Sequence, residues 1–188
     1  MTSANIVPVS TVDRVRDLLQ GNWREDDWFG CDSSVIFHYA MKAVVCERFA
    51  PRRIIEIGTR CGYSMLVFSA VAPRASFLCI DGAMDNDSLY CLAHAKRLIE
   101  KHQLEADLVV VDSHAVKSLP PACFAHVDGD HSFNGALADL RLVQHCRAIL
   151  ADDCCNPDVR QAVELFAAEQ NRTVEYFDDG LRQAAVLT

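Results

Sequence analysis

The chain has 188 residues, 51% of them apolar and 23% charged, with a formal net charge of −8. That length predicts one domain, residues 1–188, able to bury a substantial core. The acidity excludes a nucleic-acid backbone as the main partner, because counterion release needs clustered lysine and arginine. No uncharged apolar run approaches the roughly 18 residues of a membrane span, and Met1-Thr2-Ser3-Ala4-Asn5 opens no charged-then-apolar leader. A cytoplasmic protein without a membrane partner is the expectation. The nine cysteines form no C-x-x-C pair and are odd in number, so they read as small buried hydrophobes in a reducing compartment. Cys61 and the Cys154-Cys155 pair stand close enough to chemistry-bearing residues to raise the question of thiol reactivity.

In chain order, residues 1–50 predict a helical cap or lid. Ser10-Thr11-Val12-Asp13 starts a short helix with Val12, Val15, Leu18 and Leu19 on one face, ending near Gly21. Trp23, Trp28 and Phe29 crowd a charged loop. Asp32 caps a second helix carrying Val35, Ile36, Tyr39, Ala40, Val44 and Phe49, which Pro51 stops. This cap could pair two subunits into a homodimer.

Residues 53–188 alternate as strand and helix, the pattern of a mostly parallel sheet. The expected strands are Arg53–Ile57, Ser76–Asp81, Asp107–Val111, Phe124–Val127 and Ala148–Ala151. The expected helices are Tyr63–Val71, Asp87–His102, Gly135–Arg147 and Pro157 to about Glu169. Thr173–Phe177, a turn at Asp178-Asp179-Gly180 and Gln183–Leu187 form a closing hairpin.

The chemistry concentrates at strand ends. Ile54-Ile55-Glu56-Ile57-Gly58-Thr59-Arg60-Cys61-Gly62-Tyr63-Ser64 is a strand, a tight glycine loop and a helix start, which receives a nucleotide-like ligand at the strand's carboxyl end. Gly58 permits a sharp exit and Gly62 a close backbone approach to a ligand. The glycines are four apart, whereas a dinucleotide loop opens G-x-G. Glu56, Asp81, Asp112, Asp128 and Asp152-Asp153 end five successive strands, more than turn formation alone explains. Asp81 lies 25 positions after Glu56 (81 − 56), near the offset at which a carboxylate meets ribose hydroxyls.

The E-x-G-x-x-x-G-x-S pattern of Glu56, Gly58, Gly62 and Ser64 resembles the first motif of class I S-adenosylmethionine (SAM) methyltransferases. Cys-Gly-Tyr-Ser and His126-Val127-Asp128-Gly129-Asp130-His131-Ser132 resemble the catechol-type and bacterial small-molecule O-methyltransferases. The resemblance covers roughly residues 53–188. It implies an α/β, Rossmann-like, seven-stranded and mostly parallel sheet with helices on both faces and an antiparallel C-terminal hairpin. It also implies that Glu56, Gly58, Thr59, Gly62 and Ser64 hold the methionine end of SAM, with Asp81 on the ribose, Ser113 or His114 on the adenine, and Asp128 close by. Asp128, Asp152 and Asp153 would then bind Mg²⁺ or Mn²⁺, which activates the hydroxyl of a small acceptor, and His131 or Asp130 would be the base. The pattern departs from the catechol type in having Asp-Asp for Asp-Asn and Asp130 in place of an aromatic wall residue, which points to a more polar acceptor. Glu175 falls near the family's contact to a second acceptor hydroxyl. A metal-independent methyltransferase and a SAM-binding protein without methyl transfer are the alternatives.

Overall fold

The computed structural model describes residues 7–27, 30–83, 86–178 and 181–188. Trp28, Phe29, Asp179 and Gly180, singled out above, lie outside them. In chain order the elements are α1 (Val9–Gln20), α2 (Ser33–Phe49), β1 (Arg53–Ile57), α3 (Tyr63–Val71), β2 (Ser76–Asp81), α4 (Asn86–His102), β3 (Ala106–Val110), β4 (Phe124–Val127), α5 (Phe133–Leu142), β5 (Ala148–Ala151), α6 (Pro157–Gln170), β6 (Val174–Asp178) and β7 (Gln183–Leu187). A single-turn 3₁₀ helix, Ser113–Ala115, follows β3.

The seven strands lie in the order β3-β2-β1-β4-β5-β7-β6. The first five are parallel, and β7 runs antiparallel to both β5 and β6. This is the Rossmann-like arrangement expected from the alternation. Side chains of a strand alternate between faces, so β1 feeds two cores. Ile54 joins Phe124, Leu150 and α1–α4 on one face, and Ile55 and Ile57 join Val127, Ile149, α5 and α6 on the other. A central strand covered on both faces needs this near-continuous apolar run. β3 is one of the two edge strands and leaves Val109 and Val110 exposed.

The differences from the expected boundaries have local causes. α5 ends at Leu142, not Arg147, because a turn through Val143 and Cys146 returns the chain directly to β5. Its start is set by Ser132, whose hydroxyl accepts the Gly135 N–H at 3.1 Å. Ser132→Ala should therefore cost about 1 kcal/mol, read as a lower urea midpoint at unchanged slope. α1 begins at Val9 behind Pro8, one residue before the expected Ser10 start.

The glycine loop is held from several sides. Gly58 has φ 84°, and a Cβ there would lie 1.9 Å from the Asp128 carbonyl oxygen. Glycine is thus required where the exits of β1 and β4 touch. Gly62 has φ 78°, and a Cβ would press on Ala95 of α4 at 3.0 Å. The expectation that Gly62 serves close ligand approach is corrected: Gly62 does not line the cavity, and the hydrogen a Cβ would replace faces α4 and Met65.

Candidate active site

The carboxyl ends of the parallel strands open into one cavity of about 750 Å³. Of the residues singled out, Gly58, Thr59, Ser64, Asp81, Ser113, His114, Asp128, Asp130, His131, Asp152 and Asp153 line it. Gly62 and Glu56 do not.

Glu56 is 1% exposed and points under the cavity floor, where its Oε1 lies 3.1 Å from His126 Nδ1. The two residues are register partners on neighbouring strands β1 and β4. Glu56 Oε2 and Thr59 Oγ1 are buried without a hydrogen-bond partner. Such orphaned acceptors cost free energy unless a donor arrives. Asp81 accepts the Arg60 N–H at 2.8 Å and the Ala83 N–H at 2.9 Å, one on each oxygen, which fixes its carboxylate at the cavity wall. The Arg60 guanidinium in turn holds both oxygens of the buried Asp27 at 3.1 Å. A loop N-terminal to α2 is thereby tied to the glycine loop. These features fit the polar end of SAM: the Asp81 carboxylate on the cavity wall, and the start of α3 at Ser64 with Thr59 beside it in the glycine loop.

The adenine side is more constrained than expected. Ser113 donates its hydroxyl to Asp139 at 2.6 Å, so only its acceptor capacity is left for a base. Asp139 of α5 is fully buried and also accepts the Asp130 N–H at 3.3 Å, joining the loops after β3 and β4. Burial raises its carboxyl above the usual range.

The acidic end holds a feature the sequence analysis missed. Lys42 of α2 is 2% exposed, with its ammonium in contact with Asp152 Oδ2, 3.6 Å from Asp128 Oδ2 and 3.3 Å from Ser64 Oγ. His38, one turn earlier, places Nε2 at 3.0 and 3.1 Å from the two Asp152 oxygens. Asp152 Oδ1 also accepts the Asp153 N–H at 2.9 Å. Burial would raise the Asp152 carboxyl, yet Lys42 and His38 hold it well below the usual range. Burial would likewise depress Lys42, but Asp152 and Asp128 keep its ammonium above the ordinary lysine value.

The expected metal ligands therefore separate. Among the described residues, the ligand sets converging within 4.8 Å are His126–Asp128–Asp152 and Asp128–His131–Asp153, not the three aspartates together. Asp152 turns inward to Lys42, while Asp153, at φ 50°, turns toward His131. A Mg²⁺ site of the three aspartates does not fit, because they do not converge and the Lys42 ammonium stands between Asp128 and Asp152.

His131 Nε2 lies 3.5 Å from Asp128 Oδ1 and 3.4 Å from Asp153 Oδ2. The Asp128 contact is the main cause that pushes its imidazole up to about 9, with Asp153 and Asp152 adding to it. This lies well above the ordinary histidine value of about 6.5. Asp130 is drawn into the start of α5 instead: its Oδ1 accepts the Ser132 N–H at 2.8 Å, and that bond lowers its carboxyl. Glu175 stands apart from the cavity, on β6, which lies beyond β7, and pairs with Arg48 at 2.6 Å. Cys61 and Cys154 are buried, and burial raises both thiols, the second to about 12, which opposes reactivity. An aromatic wall does exist, but it comes from elsewhere in the chain. Trp23 stacks on Tyr63 at 4.0 Å and Tyr39 of α2 meets both edge-on at 6.3 Å. All three line the cavity.

With this geometry in view, the family model described as a methyltransferase domain matches residues 55–155, more than half of the sequence. The chain belongs to the methyltransferase-domain family. Solved structures share its fold. An O-methyltransferase from Bacillus cereus in complex with SAH has 17% identity and a TM-score of 0.66, over 98% of this chain and 93% of its own. The SAM complex of an O-methyltransferase of tomaymycin synthesis from Streptomyces achromogenes has 12% identity and a TM-score of 0.58, over 98% and 92%. An SAH-bound methyltransferase from Podospora anserina has 13% identity and a TM-score of 0.62, over 96% and 88%. No curated protein matches the chain in sequence. The chain thus carries a methyltransferase domain, on the fold that these SAM- and SAH-bound structures share. Among the described residues no helix is long and apolar enough to cross a membrane.

Proposed function

We propose that this methyltransferase moves the methyl group of SAM to a hydroxyl oxygen of a small molecule. The observation that carries the reading is that Ser64 and Asp81 share one cavity with Asp128, His131 and Asp153. A hydroxyl must lose its proton before its oxygen can attack a sulfonium methyl in line. His131 is the group placed to take that proton, at the open end of the cavity beside two carboxylates that steady its cationic form. The cavity is of the size that encloses a small ligand, and its stacked aromatic residues offer a face for an apolar or planar part of the acceptor.

A second reading keeps a divalent ion. The convergence of Asp128, His131 and Asp153 favours it, and two carboxylates with an imidazole suit Mn²⁺ better than Mg²⁺. In that reading His131 is a ligand and not the base.

Incubation with methyl-labelled SAM and a panel of phenols, catechols and polyols tests the proposal. Label transferred to an oxygen of one panel class, with SAH released in equal amount, is the expected result. Firm SAM binding with no transfer to any hydroxyl would instead indicate a SAM-binding protein without this activity.

A further inference from the structure

We propose that the Lys42 ammonium is the resident cation of the acidic centre, standing where a divalent ion would otherwise join Asp128 to Asp152. The inference rests on the O-methyl-transfer reading for its meaning, but not for its test.

Three observations carry it. The ammonium touches Asp152, lies 3.6 Å from Asp128 and is 2% exposed, so a metal could bridge these two carboxylates only by expelling a buried lysine. Lysine is almost never fully buried unless paired, and here its partners are the carboxylates at the ends of β4 and β5. Asp152 is also heavily engaged, since His38 Nε2 lies 3.0 and 3.1 Å from its two oxygens and its Oδ1 accepts the Asp153 N–H. Finally, the Lys42 ammonium lies 5.1 Å from the Tyr39 ring centroid, and Tyr39 stands on the cavity's aromatic wall. The fixed cation therefore comes from α2, the second helix, outside the glycine-loop and strand-end motifs.

The arrangement has a consequence for substrate class. A divalent ion grips two neighbouring oxygens of a diol or catechol and so selects for them. A lysine engaged by two aspartates and a serine cannot chelate, so an acceptor with a single hydroxyl suffices. Positioning then falls to the aromatic wall and to the charged groups at the cavity mouth.

The test reads metal binding directly. Mn²⁺ is titrated into the wild-type protein and into Lys42→Met, and bound ion is followed by electron paramagnetic resonance. The wild type should bind Mn²⁺ weakly, and its labelled-methyl transfer should be unchanged by EDTA. Lys42→Met, with Asp128 and Asp152 freed of the ammonium, should bind Mn²⁺ at least about tenfold more tightly. Stoichiometric tight binding by the wild type that persists in His131→Gln and is abolished by Asp128→Asn would overturn the proposal, because the Asp128, His131 and Asp153 set needs His131. A folded Lys42→Met that gains no affinity would overturn it equally. Should Lys42→Met fail to fold, Lys42→Gln carries the same comparison, and the wild-type titration decides alone if neither folds. Absence of methyl transfer with any acceptor would count against the functional reading and leave the Mn²⁺ result standing.

Discussion

Asp152→Ala should cost about 3–5 kcal/mol of folding stability, because it leaves the Lys42 ammonium buried without its principal counter-charge. A fully buried pair behaves unlike an exposed one, which contributes little. Its removal as a whole is tolerated far better than removal of one member. The Lys42→Met/Asp152→Ala double variant should accordingly regain more than half of the loss, and a double-mutant cycle in urea isolates the coupling. The pH dependence has a definite sign. The folded carboxyl of Asp152 lies below its unfolded value of about 3.9. Its contribution is fully present above that value and is lost as pH falls through the lower folded value. Acid unfolding of the wild type should therefore be steeper than that of the double variant. Equal stability of wild type and Asp152→Ala would show that Lys42 and Asp152 are not paired.

His131→Gln should lower kcat/KM for methyl transfer by about 10²–10⁴, the usual range for loss of a general base. The side chain is partly open to solvent, so the fold should survive. At neutral pH most of the imidazole is protonated, because Asp128 and its neighbours push it up to about 9. Wild-type kcat/KM should then climb with pH and level off above about 9, and His131→Gln should lose this climb. Stability runs the other way. A raised folded value gives a contribution that is complete below the unfolded value of about 6.5 and disappears as pH rises through about 9. Asp130→Asn should have the smaller effect on rate, since its carboxylate is engaged by the Ser132 amide. A pH profile identical in wild type and His131→Gln would remove His131 from the reaction.

The parts of the fold legible in the sequence are those with strong local signals. The β-branched run into Gly58 set β1 and its loop, and Pro157 behind Asn156 set the start of α6. Five strand-end carboxylates marked the edge of the sheet where the cavity opens. Lys42 and His38 escaped because α2 reads as an ordinary apolar helix, with its lysine free to project into water. Only the packing of α2 against α3 and the sheet turns that face inward. The Glu56–His126 pair was hidden for a related reason: the two residues are 70 positions apart and meet only because β4 lies beside β1. Glu175 was misplaced by the same kind of non-local fact, since β7 inserts between β5 and β6 and moves β6 to the far edge. Gly62 was read as permitting a close backbone approach to a ligand, whereas here α4 packs against it.

SAM binding to the purified protein is the measurement nearest the central claim. Calorimetric titration should give one SAM per chain, with SAH competing for the same site. Asp81→Ala should weaken binding by about 10- to 100-fold, the value of charge-assisted hydrogen bonds to the ribose. No SAM binding by a folded wild-type protein, or unchanged binding by Asp81→Ala, would contradict the site assigned to the cofactor.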